Sequence, residues 1–546
     1  MLLRGFKIKP FDAPIVNLEE WMANKQKLEL TWIGKNNPEY EIANIEPRIL
    51  EDRKDLSCGD ADTDNMIIHG DNLLALKALL PEYEGKVKCV YIDPPFNTGS
   101  AFEHYDDSVE HSTWLSLMRP RLEIMKLLLA NDGGIFIHID YNEEAYIRVL
   151  MDEIFGKKNF RNTFIVSRVK KSIREREKVK ALNFAHDVII FYAASDDTLV
   201  LPPLKINNKP ERWHGMDAPG FRNGMDYDLF GFKPAKERHW GWTKENSYQA
   251  IENYNKWKKD FSSESLTNYW ERTGKALRFI KQNENTGKPE YFLPASKYEI
   301  LDTNWTDIQA SAFNWKFPNG EKNEFLLSRI LGMLTDKKDW VLDSFLGSGT
   351  TTAIAHKMDR RYIGIEMGDH AYTHVQKRMK AVVDGTDRGG ISKEVDWKGG
   401  GGFKFYELAP SFVTIDEFGN PVIDSYYNDT KLIRAMCKLM NYTFAPNSKD
   451  YWKHGKGHGN NSIYVTTQML SVAMVQQIVR HLATNETLLI CPKKFEPGCE
   501  EVDTRITIKK IPQSILKACH YGKKEYLLPI KERAIEEIDE EDLNDE

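Results

Sequence analysis

What most limits how this chain can fold is an alternation of short apolar runs with segments of helical periodicity. Met66-Ile67-Ile68-His69-Gly70-Asp71 reads as a buried strand that ends in a turn. Asn72 to Leu80 reads as a helix, with Leu73, Leu76 and Leu80 on one face. Val87 to Ile92 is a second strand, and Leu115, Met118, Leu122, Met125 and Leu129 then recur at helical spacing. Gly134 to Asp140 is a third strand. The pattern resumes with a strand at Trp340–Asp343, a helix from Thr351 to about Met358, and a strand at Tyr362–Glu366. Strands that alternate with helices in this way predict an α/β fold, a doubly wound parallel sheet covered by helices.

The interruption between the two blocks sets the domain plan. Residues 196–319 are rich in Trp, Asn, Lys and Pro and predict a domain inserted between two parts of one sheet. Gly399-Gly400-Gly401-Gly402 marks a further boundary. The expected order is an N-terminal extension (1–65), a first catalytic part (66–195), the insert (196–319) and a second catalytic part (320–398). A C-terminal α/β region (399–535) and an acidic tail (536–546) follow. No apolar run reaches the roughly 20 residues that cross a bilayer. The start, Met1 to Lys7, lacks an apolar core of signal-peptide length, so a cytoplasmic protein is expected. The six cysteines are scattered without metal-ligand spacing, which predicts reduced thiols and no structural zinc.

A net charge of −6 is not that of a protein that coats DNA, but local charge decides binding. Residues 168–180 carry seven basic and two acidic side chains, among them Lys170, Lys171 and Arg174. That run suits either phosphate contact or a solvated helix face. Glu536 to Glu546 carries eight acidic side chains and is expected to be disordered.

Two motifs carry chemistry. In the first, Asp343 closes an apolar strand, Phe345-Leu346-Gly347-Ser348-Gly349-Thr350 makes a tight turn, and a helix follows. Glycines let backbone approach a ligand, and the helix N-terminus offers free N–H groups. Glu366 ends the next strand, where a carboxylate can accept hydrogen bonds from ribose hydroxyls. A dinucleotide oxidoreductase would need a third glycine, but Thr350, Thr351 and Thr352 follow Gly349. No P-loop lysine is present. The second motif is Asp93-Pro94-Pro95-Phe96-Asn97-Thr98-Gly99, directly after the strand ending at Ile92. Two prolines fix φ and remove two N–H donors, so the loop is rigid and rich in acceptors. A carboxylate and a carbonyl that converge suit an NH₂ group, and an adjacent aromatic can stack on a base.

Asp93-Pro94-Pro95-Phe96 resembles the catalytic motif of DNA amino-methyltransferases, and Phe345-Leu346-Gly347-Ser348-Gly349 resembles their S-adenosyl-L-methionine motif. The first precedes the second by 250 residues, an order that resembles the β group of these enzymes. Gly70 to Leu76, Trp114 to Met118, Asp152 to Gly156 and Gly400 to Tyr406 are similar to the modification (Mod) subunit of type III restriction–modification systems. The resemblance covers about Trp32 to Tyr406. It implies a Rossmann-like methyltransferase sheet with an inserted target-recognition domain, and Asp at position 93 resembles the adenine-N6 enzymes. Asp93 and the Pro94 carbonyl would accept from the target amino group, within the catalytic set Asp93, Pro94, Pro95 and Phe96, with Phe96 stacked on a flipped base. Asp343, Phe345, Gly347, Gly349 and Thr350 would line the cofactor site, Glu366 would hold the ribose, and Asp71 would lie near the adenine or the target-side edge. The resemblance further implies double-stranded DNA as substrate, a homodimer, and a separate restriction subunit with helicase and nuclease activity.

Two departures from the family pattern stand out. Phe96 replaces the commoner Tyr, and the segment Phe317 to Lys322 lacks the usual Lys-Pro. Asn207, Asn208, Arg212, Arg222, Asn223, Lys233 and Arg238 are candidates for base or phosphate contact. Trp213, Trp240 and Trp242 suit a core better than a stacking platform. The alternatives are a solitary or cytosine-N4 methyltransferase, an inactive DNA-binding specificity subunit, and an oxidoreductase.

Overall fold

The computed structural model describes residues 29–38, 41–46, 48–95, 107–168, 184–312, 315, 317, 321–415, 421–427 and 429–511. Phe96, Lys170, Lys171, Arg174 and the acidic stretch 536–546 lie outside these residues.

The central sheet takes strands from both sequence blocks. In chain order they are β1 (Leu50–Asp52), β2 (Met66–His69), β3 (Val87–Ile92), β4 (Leu129–Ile139), β5 (Phe160–Ser167) and β6 (His186–Ala193). After the insert come β7 (Asn304–Gln309), β8 (Trp340–Asp343), β9 (Arg361–Glu366) and β10 (Gly402–Leu408). Across the sheet they run β1-β10-β2-β9-β8-β3-β4-β6-β5-β7, and Cys58–Gly59 also pairs with β10. From β10 to β4 every neighbouring pair is parallel. The β4–β6 and β6–β5 pairs are antiparallel.

Helices cover both faces because the strands alternate two apolar sets. Ile68, Val90, Ile92, Ile135, Leu342 and Ile363 join one core, with Leu73 and Leu76 of α1 (Asn72–Tyr83) and Leu115 and Leu122 of α2 (Asp107–Leu128). Ile67, Cys89, Tyr91, Phe136, Val341 and Tyr362 join the other. There they meet Leu327 of α3 (Glu324–Leu334), Ile354 of α4 (Thr350–Lys357) and Met379 of α5 (Gln376–Val383). Strands apolar on both sides are what a doubly covered parallel sheet requires. Each fully buried Ile or Leu stabilises the fold by about 1.5–3 kcal/mol before entropy is counted.

Four expected boundaries move. The chain divides into one unit of 1–201 with 303–546, and a second of 202–302. The insert is therefore shorter than 196–319. Asn304–Gln309 pairs in parallel with β5, and its fully buried Trp305 stacks on Phe164. The boundary expected at Gly399 lies later, because Gly402–Leu408 is itself a strand of the central sheet. Part of the N-terminal extension also belongs to this sheet, since Leu50–Asp52 pairs with β10.

The inserted unit is built on a three-stranded sheet (Arg212–Gly215, Ile280–Gln282, Pro289–Leu293) and two helices (Lys244–Asp260, Leu266–Arg272). Trp240 is buried, and Trp213 and Trp242 pack against its two small cores, as the core reading expects. Farther along the chain, a five-stranded sheet ends in three parallel strands, Asn461–Leu470, Thr487–Phe495 and Ile506–Ile508. Among the described residues no helix is long and apolar enough to cross a membrane.

Candidate active site

Between β8 and β3 the winding of the sheet reverses. From β3 the chain passes through α2 to β4 on one side, and from β8 through α4 to β9 on the other. Open α/β sheets hold ligands in the crevice at the carboxyl ends of two such strands. Leu342 pairs with Val90, so the loops after Asp343 and after Ile92 leave the sheet side by side. The two motifs, 250 residues apart in sequence, meet there.

The glycine loop is held from below. The buried Asp343 accepts from the Phe345 N–H (2.9 Å) and the Thr351 hydroxyl (2.6 Å), so both oxygens serve the loop itself. Burial pushes its carboxyl up to about 7. Glu366 accepts from the Gly347 N–H (2.7 Å) and the Gly368 N–H (2.9 Å). Burial raises its pKa, and these backbone donors oppose the shift. Gly347 has φ +55°, and a Cβ placed on it would have nothing within 4 Å, so open space faces the bend. Gly349, with φ +80°, is the N-cap residue just before α4. The first N–H groups of α4 thus lie at the same sheet edge as Glu366.

Buried charges fasten this loop to its surroundings. Arg378 donates to the Thr350 hydroxyl (2.8 Å) and the Ser348 carbonyl (3.3 Å) and pairs with Glu324 (2.7 Å) and Glu321 (3.5 Å). Lys357 pairs with Glu324 and Asp387, each at 2.9 Å. Thr350 is therefore a brace within the loop, and Phe345 packs against the core beneath it.

The acidic loop is held differently. Its Pro95 carbonyl accepts from the Trp114 indole (3.0 Å), and Pro94 is buried. Lys322 pairs with Oδ2 of Asp93 at 3.0 Å. Oδ1 of Asp93 is buried without a hydrogen-bond partner among the described residues. A buried acceptor left unpaired costs about 1–3 kcal/mol, so its presence at a loop mouth marks a place for a donor. One strand over, buried His138 contacts the Tyr91 hydroxyl (3.0 Å) and Asp187 (3.5 Å). Burial lowers the His138 pKa, and nearby Lys322 adds to the effect.

Asp71 has structural partners at this end of the sheet. It caps α1 through the Leu74 N–H (3.0 Å), pairs with the buried Arg121 (3.2 Å), and is itself buried. Arg121 also donates to Asn72 (2.5 Å), which donates to the Ser344 carbonyl (2.8 Å). Asp71 thus braces the crevice from beneath. In the inserted unit Arg212 and Arg222 are exposed, whereas Arg238 is held by Asp217 at 2.6 Å. Sequence reasoning missed Trp114, Arg121, Lys322 and Arg378 as parts of the site. Lys322 gave no signal of its own, because the segment Phe317 to Lys322 lacks the family's Lys-Pro. The next residue, Asn323, caps α3 through the Phe325 N–H (2.9 Å).

A rigid acceptor loop beside a glycine bend, at the switch point of a doubly wound sheet, stands where open α/β sheets hold nucleotide-type ligands. The chain belongs to the DNA methylase family, whose model matches residues 87–377, more than half of the chain. A Haemophilus influenzae protein described as "Probable type III restriction-modification enzyme HindVI Mod subunit" is 35% identical over 406 residues, covering 64% of this chain and 54% of that one. This chain thus spans about half the length of that relative. The type II methyltransferase M.EcaI of Enterobacter cloacae is 30% identical over 341 residues, covering 58% of this chain and 69% of that one. Among solved structures, the PvuII cytosine-N4-specific DNA methyltransferase aligns with a TM-score of 0.34 at 15% identity, over 62% of this chain and 92% of that one.

Proposed function

We propose that this protein transfers a methyl group from S-adenosyl-L-methionine to N6 of adenine in double-stranded DNA, as the modification subunit of a type III restriction–modification system. One observation carries the reading. The unpartnered, buried Oδ1 of Asp93 stands beside a glycine bend with open space in front of Gly347. The residues fit the cofactor. Glu366 suits ribose hydroxyls, and Gly347, Gly349 and the start of α4 offer close-approach backbone. When bound, the cofactor supplies a methyl on a sulfonium sulfur, which leaves as a neutral thioether as the new N–C bond forms.

The adenine amino nitrogen is a weak nucleophile because its lone pair is delocalised into the ring. Asp93 Oδ1 and the Pro94 carbonyl accept its two N–H bonds, localise that pair and aim it. Asp93 then stabilises the positive charge that develops on nitrogen and accepts the departing proton. Positioning, rather than strong acid–base power, is what this chemistry asks of the protein. The base leaves the duplex at a cost of a few kcal/mol, and Phe96 stacks on it. Asp at position 93 favours adenine over cytosine. The likeness to a type III Mod protein supports a separate restriction subunit as partner, and a homodimer and a cytoplasmic location are part of the same proposal. The inserted unit, with Arg212 and Arg222 exposed, is proposed to read the target.

Asp93→Ala tests the reading. Transfer of labelled methyl to DNA is expected to fall at least about 10³-fold, while cofactor affinity by calorimetry stays within a few-fold. Transfer at the wild-type rate would refute the mechanism. Long-read sequencing of DNA from expressing cells would identify the base, and N4-methylcytosine in place of N6-methyladenine would overturn the choice of target.

A further inference from the structure

Asp93 has two oxygens, and the molecule treats them differently. Oδ2 is held by Lys322 at 3.0 Å, while Oδ1 is buried and unpartnered among the described residues. An aspartate carboxylate turns about a soft two-fold torsion, so a free side chain would not present one oxygen in one direction. A cation on Oδ2 removes that freedom.

Lys322 is itself well placed to be rigid. It belongs to a two-residue strand, Glu321–Lys322, paired with Ser311–Ala312. Its neighbour Glu321 is buried, accepts from the Trp315 N–H (3.0 Å), and pairs with Arg378 (3.5 Å). Arg378 in turn holds the glycine loop through Ser348 and Thr350. The Asp93 loop comes from the chain before the insert, and Lys322, Arg378 and the glycine loop from the chain after it. A short series of contacts thus runs from the glycine bend to the target carboxylate.

Resting on the methyltransferase reading above, we propose that Lys322 is a positioning residue for methyl transfer, fixing the Asp93 carboxylate so that Oδ1 meets the target amino group. Lys322 touches neither the base nor the methyl group, and it acts through Asp93. Its loss leaves the loop folded and the carboxylate free to turn. Because a misplacement of about 1 Å costs on the order of 100-fold in rate, the effect belongs in turnover rather than in binding.

The test compares the full chain with Lys322→Met and Lys322→Arg, using labelled S-adenosyl-L-methionine and DNA carrying the target site. Lys322→Met is expected to lower kcat about 10–100-fold, with KM for DNA and Kd for the cofactor within about two-fold. Lys322→Arg keeps a cation on Oδ2 and is expected to recover most of kcat. Thermal melting of both variants is expected to match wild type. An unchanged kcat in Lys322→Met, beside an active wild type, overturns the proposal alone. So does a loss in both variants that tracks a fall in melting temperature, which would assign Lys322 to folding. A wild type that transfers no methyl to any DNA overturns the methyltransferase reading and this inference with it.

Discussion

Two loops leave neighbouring strands of one sheet, and they use their polar groups in opposite ways. In the glycine loop, Asp343 and Thr350 are buried and bonded within the protein. In the acidic loop, one oxygen of Asp93 is paired and the other is not. The first loop is a finished piece of architecture that offers a ligand its backbone and the edge of Glu366. The second leaves one buried acceptor open, and on the proposed function its donor arrives with the substrate. A site of this kind stores its specificity in what is left unsatisfied and its rigidity in what is not.

The comparison can be broken at the braced loop first. Arg378→Met would remove one cation shared by the buried Glu321 and Glu324, leave Lys357 on Glu324, and is expected to cost about 3 kcal/mol of stability. Urea denaturation would measure it. A midpoint unchanged from wild type would show that the loop does not depend on this network. Glu366→Gln is a milder break. It keeps the shape but loses the charge, and is expected to weaken cofactor binding about ten-fold while kcat at saturation holds. A fall in kcat instead would place Glu366 in the chemistry and blur the division between the loops.

The smallest effect concerns pH. Burial lifts the Asp343 carboxyl to about 7, above the ordinary aspartate value of about 3.9. In that window the folded state binds the extra proton, so this group's contribution to stability is lost as pH rises toward 7. Asp343→Asn removes the titration. Wild type is expected to lose more melting temperature than this variant between pH 5 and pH 8. Parallel curves would mean that Asp343 is ionised throughout.

Much of this was legible in the chain. Short apolar runs alternating with helical segments predict a sheet covered by helices, and the two cores, Val90 and Ile92 in one and Cys89 and Tyr91 in the other, match it. Proline geometry in Asp93-Pro94-Pro95 and the two glycines of the bend marked the loops, because these residue types fix or free φ locally. The strand Asn304–Gln309 was hidden, since a short segment with polar neighbours gains its place only from Phe164 and β5 across the sheet. The Arg121 partner of Asp71 was hidden for a related reason, since the two lie 50 residues apart and meet only in the folded chain.

Sequence alone determined the periodicities, the two rigid loops and the kind of chemistry their residue types permit, because these depend on neighbours a few positions apart. Tertiary structure decided that the loops share one crevice, which strands close the sheet, and that Lys322 and Arg378 tie the two halves of the site together. Those choices depend on pairings between residues up to hundreds of positions apart, and no local pattern encodes which partner a buried charge will meet.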